Sequence, residues 1–232
     1  MDLETLERRR LYTVSVVQGY PGYYEVRGTD ASEAISIAVS SADSSFTLDG
    51  VTYPGAAYVS VYAGGGDDTV TVSADGPTQV GASVDAGPGD DSVTLNLSGA
   101  VWGGPGADTI RLNDSYRGEA YGEQDDDKIY LSGQCVDAVV DGGQGSDLID
   151  ATGSAYGVFA HGGQGADTIF GSNFDDQIYG DAGADLLIGN AGNDSFYAAD
   201  LEHDRIIGGA GIDVAYADLG DSTWGVEYVF YV

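Results

Sequence analysis

One nine-residue phrase, Gly-Gly-x-Gly-x-Asp-x-apolar-x, returns along most of this sequence, and its period restricts the fold more than any other feature. Residues 142–150 (GGQGSDLID), 162–170 (GGQGADTIF) and 103–111 (GGPGADTIR) match it outright. Near matches begin at residues 63, 86, 180, 189 and 208, and looser ones at 122 and 171. The sixth-position acids fall into two series. Asp68, Asp91, Asp108, Asp127, Asp147, Asp167, Asp185 and Asp204 follow one another at 17 to 23 residues. Asp176, Asp194 and Asp213 lie midway between the last of them. Such spacing predicts coils of about 18 to 20 residues, each with two turns and two short strands. The first series then stacks along one edge of the array, and the second along the opposite edge near the C-terminal end. Between Asp68 and Asp167 the opposite edge is expected to use ordinary turns.

The apolar residues keep the same register. Val70, Val93, Ile110, Ile129, Ile149, Ile169, Leu187 and Ile206 each follow a first-series Asp by two positions. Val61, Val84, Val101, Val140 and Ile178 precede it by seven. Stacked coils turn these sets into two facing inward columns, rich in the β-branched side chains that packed strands favour. A single coil cannot bury such a stripe, whereas its neighbours can. The expected fold is all-β: a right-handed parallel β-solenoid (β-roll or β-helix) with an N-terminal β cap. The expected division is a basic tail over 1–11, a β-rich cap over 12–57, the solenoid over 58–218 and a capping strand over 219–232.

Charge narrows the partners. The 232 residues hold 38 acidic and 8 basic side chains, a formal net charge of −30. A nucleic acid needs Lys and Arg opposite its phosphates, so it is excluded as a partner, and an anionic membrane surface is disfavoured. Disorder is disfavoured too, because 42% of residues are hydrophobic and 16 are Tyr. No stretch has the apolar length of a membrane span, and the N-terminal sequence makes a poor secretory signal. Cys135 is the single cysteine, so a metal rather than an internal disulfide is the expected staple.

The turn chemistry selects the metal. Ca²⁺ takes about 6–8 oxygen ligands from carboxylates, carbonyls and water. Gly-rich turns can curl until their carbonyls converge, and the sixth-position Asp supplies charge. An ion between two stacked turns would bridge two coils and relieve the repulsion along the edge. Soft metals are disfavoured, since His161 and His203 lack the spacing of a zinc site. The bland alternative is that the Gly-Asp turns cap the coils without any metal.

These repeats resemble the RTX family, the hemolysin-type calcium-binding nonapeptide repeats of secreted bacterial proteins. The resemblance covers roughly residues 58–218. It implies a parallel β-roll or β-helix, folding driven by several Ca²⁺ ions, and an extracellular or cell-surface location. Carried over by position, the side-chain ligands would be Asp68, Asp91, Asp108, Asp127, Asp147, Asp167, Asp176, Asp185, Asp194 and Asp213. The turn glycines of the sites would be Gly103, Gly104, Gly106, Gly142, Gly143, Gly145, Gly162, Gly163 and Gly165, then Gly183, Gly192, Gly208, Gly209 and Gly211. The turn at Asp127 departs from the pattern by lacking its middle glycines, and the stretch before Asp204 has no glycine.

The sequence points to a structural or adhesive surface module and not to an enzyme. Neither HExxH nor GxSxG occurs. A polysaccharide lyase or epimerase-like enzyme on a parallel β-helix is the alternative, with Lys128, Arg111 or Arg117 as its basic residue. Ice binding through a Thr ladder is weakened because Ser92, Lys128, Leu148 and Leu186 interrupt Thr69, Thr109 and Thr168. The expected partners are calcium ions, with an extracellular polysaccharide or another surface protein. Residues 28–36 read as a decayed repeat with Glu33 at the acid position. The opening ETLERRRL resembles a short motif near the start of large bacterial surface proteins, and the aromatic end DSTWGVEYVFYV reads as a capping strand or an export signal.

Overall fold

The structure is a computed structural model that describes residues 14–232. The 1–11 tail and its motif lie outside the described residues. The chain passes back and forth between two 12-stranded sheets and so winds a parallel β-solenoid, with no helix among the described residues. The front sheet stacks strands such as Glu119–Gln124, Ala138–Gln144, Val158–Gln164 and Gln177–Ala182. The back sheet stacks Lys128–Gly133, Leu148–Ser154, Thr168–Phe170 and Leu186–Ala191. Each strand pairs in parallel with its counterpart one coil away. Antiparallel pairing is confined to the N-terminal end: Ser15–Gln18 on Tyr23–Arg27, and the strands Ala34–Val39, Phe46–Leu48 and Val51–Tyr53 in succession.

Inside, the two expected columns are present. On the back sheet Val70, Val93, Ile110, Ile129, Ile149, Ile169, Leu187 and Ile206 are register partners, and all are fully buried. On the front sheet Val61, Val84, Val101, Val140 and Ile178 face them, with Ala120 and Ala160 on the intervening rungs. Burial alternates along each strand, so every second side chain joins a core running the length of the stack.

Parallel pairing starts upstream of residue 58. Tyr23–Arg27 pairs with Tyr58–Tyr62, and Ala34–Val39 with Thr69–Ala74. Over these rungs Tyr24, Phe46 and Tyr53 form an aromatic cluster with centroids 4.8 to 5.9 Å apart. The last residues supply two strands, Ser222–Trp224 and Tyr228–Tyr231, which extend both sheets in parallel.

Candidate metal centre

The two acid series lie on opposite edges. First-series residues sit where the chain turns from the front sheet to the back sheet, and second-series residues where it returns. On the first edge each backbone N–H of the acid donates to the Oδ1 of the next coil's Asp. This chain of bonds runs from Glu33 through Asp68, Asp91, Asp108, Asp127, Asp147, Asp167, Asp185 and Asp204 to Asp221, at 2.6 to 2.9 Å. On the second edge it runs from Val158 through Asp176, Asp194 and Asp213 to Glu227, at 2.8 to 2.9 Å. Each Oδ1 is thereby committed to holding two coils in register.

The second oxygen is treated differently. The Oδ2 atoms of Asp68, Asp91, Asp108, Asp127, Asp147, Asp167, Asp185, Asp194, Asp204 and Asp213 are buried and have no hydrogen-bond partner. Leaving a charged acceptor dry and unpaired costs several kcal/mol per group unless a cation or a proton joins it. Here the defect recurs at ten positions in two columns. The first glycine of the turn explains the room beside it. A Cβ built on Gly162 would lie 2.5 Å from Asp167 Oδ2 and 2.6 Å from the Gly180 carbonyl oxygen of the next coil. Gly103, Gly122, Gly142, Gly189 and Gly208 meet the same two kinds of oxygen, their own Asp's Oδ2 and a carbonyl of the following turn. In these six turns carboxylate and carbonyl oxygens thus share a small space that a Cβ would enter.

Such a donor set suits a hard cation. No group of three or more His, Cys, Asp or Glu converges on a metal position among the described residues. One carboxylate oxygen beside backbone carbonyls is an all-oxygen donor set of the kind Ca²⁺ takes, with further carbonyls and water filling its shell. The residues present fit calcium.

The electrostatics agree. Burial, opposed by the backbone donor and reinforced by neighbouring carboxylates, pushes Asp91, Asp147, Asp167 and Asp204 up to about 6. The same cause carries Asp108, Asp185 and Asp194 to about 7 and Asp127 to about 8. Asp68 and Asp213, at the ends of their columns, are also raised. An ionised ladder therefore strains the fold wherever nothing positive balances it.

The individual turns differ from one another. The turn before Asp127 carries Glu123 and Asp125 where Gly143 and Gly145 stand one coil on. Both keep the left-handed backbone, at φ 82° and 73° against 107° and 137°. The turn thus keeps positive φ at both positions despite the missing glycines. Asp181 and Asn190 do the same at φ 64° and 75° in the turns of Asp185 and Asp194. Asp68 and Asp91 follow turns that open on buried Ala63 and Ala86 rather than glycine. Asp204, absent from the expected ligand set because its turn has no glycine, holds the full ladder geometry and an unpartnered Oδ2. Its spacing from Asp185 was the available signal. Asp176 stands apart: Ser172 N–H donates to its Oδ2 at 2.7 Å and Ser172 Oγ to its Oδ1 at 3.0 Å. Its carboxylate is closed by its own turn. Glu33 is closed likewise by Thr29, so the first edge begins on a self-satisfied cap.

A family model for the RTX calcium-binding nonapeptide repeat matches the chain in four copies, at residues 55–75, 161–196 and 199–221. No curated protein matches it in a sequence comparison. The third matched segment contains the glycine-free turn of Asp204.

Proposed function

We propose that this chain, a solenoid that carries RTX calcium-binding repeats, holds several Ca²⁺ ions between successive coils and depends on them to complete its fold. The carboxylates of Asp68, Asp91, Asp108, Asp127, Asp147, Asp167, Asp185 and Asp204 serve one edge, and those of Asp194 and Asp213 the other. Carbonyls of the adjoining turns, at Gly103, Gly104 and Gly106, Gly142, Gly143 and Gly145, Gly162, Gly163 and Gly165, Gly183, Gly192, and Gly208, Gly209 and Gly211, complete the oxygen set. Asp176 keeps register and is not a ligand. The observation that carries this reading is the double column of buried Asp Oδ2 atoms without a donor. Calcium supplies the positive charge that ten desolvated carboxylates otherwise lack, and it ties each coil to the next.

The module acts in a structural or adhesive role outside the cell, where millimolar calcium keeps sites of this kind filled. The reading is a non-enzymatic one, since the ladder acids of both edges serve register and metal. Its partner is an extracellular polysaccharide or another surface protein. Equilibrium dialysis tests the metal reading. Several equivalents of calcium should bind per chain, with excess magnesium displacing little of it, because Mg²⁺ demands tight octahedral geometry and gives up water reluctantly. One equivalent or none, or equal competition by magnesium, would defeat it.

A further inference from the structure

The outward face of the front sheet carries a column of rings. From His161 through Tyr179, Tyr197 and Tyr216 to Phe230 they stack on successive rungs, with centroids 4.2 to 5.4 Å apart and planes within 22° of parallel. Nearer the N-terminal end the same column reads Arg27, Tyr62, Asp85, Trp102, Tyr121. Trp102 stacks on Tyr121 at 5.8 Å and 11°, which leaves its other face toward Asp85. The Arg27 guanidinium lies over Tyr62, 5.1 Å from the ring centroid, which leaves the far face of Tyr62 toward Asp85 as well. Asp85 is thus a missing rung between two open ring faces. Two strand spacings separate those rings, about 9.6 Å, so one planar group fits between them at the spacing of the stack. An open cavity of about 420 Å³ marks the place, lined by Tyr62, Ser83, Asp85, Trp102 and Glu123. The Asp85 and Glu123 carboxylates are exposed and have no cationic partner or hydrogen-bond donor among the described residues.

We propose that this slot binds a guanidinium group, the side chain of an arginine presented by a partner peptide or protein. The planar ion stacks on Tyr62 and Trp102 at once, and its N–H donors meet Asp85 below and Glu123 at the rim. The molecule already uses this chemistry on the opposite face of Tyr62, where Arg27 stacks on the ring and pairs with Glu25 at 2.6 Å. Guanidinium suits the site better than ammonium, since it is flat, weakly hydrated and able to bond a carboxylate through two donors. A chain of net charge −30 also draws basic partners toward it.

The test follows Trp102 fluorescence in a Trp224→Phe background, which leaves Trp102 as the sole tryptophan. The protein is titrated with N-acetyl-arginine amide in about 10 mM calcium, enough to occupy weak extracellular-type sites and remove the Asp turns from competition. The result expected is a saturable change, weakened about fivefold by Asp85→Asn and also weakened by Tyr62→Leu. Far-UV circular dichroism should be unaltered in both variants, and Asp141→Asn, on the same column, should bind as the parent does. No saturable response, equal binding of N-acetyl-lysine amide or of an uncharged methyl glucoside, or an Asp85→Asn variant that binds unchanged, would each overturn the proposal.

Discussion

Replacing Asp147 by Asn should stabilise the metal-free protein and lose that advantage in calcium. Asp147 is buried in a perfect copy of the repeat, its Oδ1 accepts the Asp127 N–H, and its Oδ2 has no partner. Burial raises its carboxyl from 3.8 to about 6, with Asp167, Asp126 and Asp141 adding repulsion. At 1.36 kcal/mol per pH unit, its ionisation costs the metal-free fold on the order of 3 kcal/mol. The sign follows from linkage. A carboxyl whose folded pKa lies above its unfolded one imposes no penalty below the unfolded value. The penalty grows as pH rises from about 4 to about 6 and is complete above that. Asn keeps the oxygen that accepts from Asp127 and sheds the charge. In EDTA at pH 7.5 the variant should therefore melt higher than the parent, by about 6–12 °C for a chain of this size. Near pH 4 the two should coincide. In calcium this advantage should all but vanish, because a ligand is lost and a site held at a hundred times its dissociation constant contributes about 2.7 kcal/mol. Melts followed by circular dichroism in EDTA and in calcium decide the matter. If Asp147→Asn lowers the melting temperature equally in both, the carboxylate is an ordinary structural acceptor and the reasoning fails.

Other perturbations bear on the same geometry. Gly162→Ala should destabilise the calcium-loaded protein by about 2 kcal/mol or more, seen as a lower melting temperature, because the new methyl enters the space shared by Asp167 Oδ2 and the Gly180 carbonyl. Glu123→Gly should stabilise it by about 1 kcal/mol, since a non-glycine residue at φ 82° pays for the left-handed backbone; a drop in denaturant midpoint would contradict this. The calcium midpoint should rise between pH 7.5 and pH 5, as protons compete for Asp127, raised to about 8, and for Asp108, Asp185 and Asp194, raised to about 7. Calcium titrations at the two pH values would expose a pH-independent midpoint.

The solenoid was legible in the sequence because both of its determinants are periodic. Acids at 17 to 23 residues fix the coil length, and β-branched residues at fixed offsets from them fix the inward faces. Ile129 and Ile149 could be aligned from their Asp residues alone. The start of parallel pairing at Tyr23–Arg27 was harder to read, since the turn before Glu33 keeps only the first of its glycines, Gly28. The candidate site divides in the same way. Turns with glycine announced themselves, but the backbone of the Asp127 turn is imposed by the coils on either side, which hold Glu123 and Asp125 in conformations their own identities disfavour. Asp204 was placed in the first series by its spacing from Asp185 but left out of the ligand set, because the stretch before it has no glycine. The closure of Asp176 by Ser172 depends on a local hydrogen bond that spacing does not encode. The slot at Asp85 was invisible for a further reason. Tyr62, Asp85, Trp102 and Tyr121 lie in one outward column only once the strand register is known.

Far-UV circular dichroism, recorded while calcium is raised from EDTA to about 10 mM at pH 7.5, tests the central claim most directly. The account predicts a gain of β signal with calcium that magnesium does not produce and that the Asp147→Ala/Asp167→Ala double variant loses. A full β spectrum in EDTA, unchanged by calcium, would contradict it and would mean that the apolar columns and the Oδ1 ladder hold the solenoid without any metal.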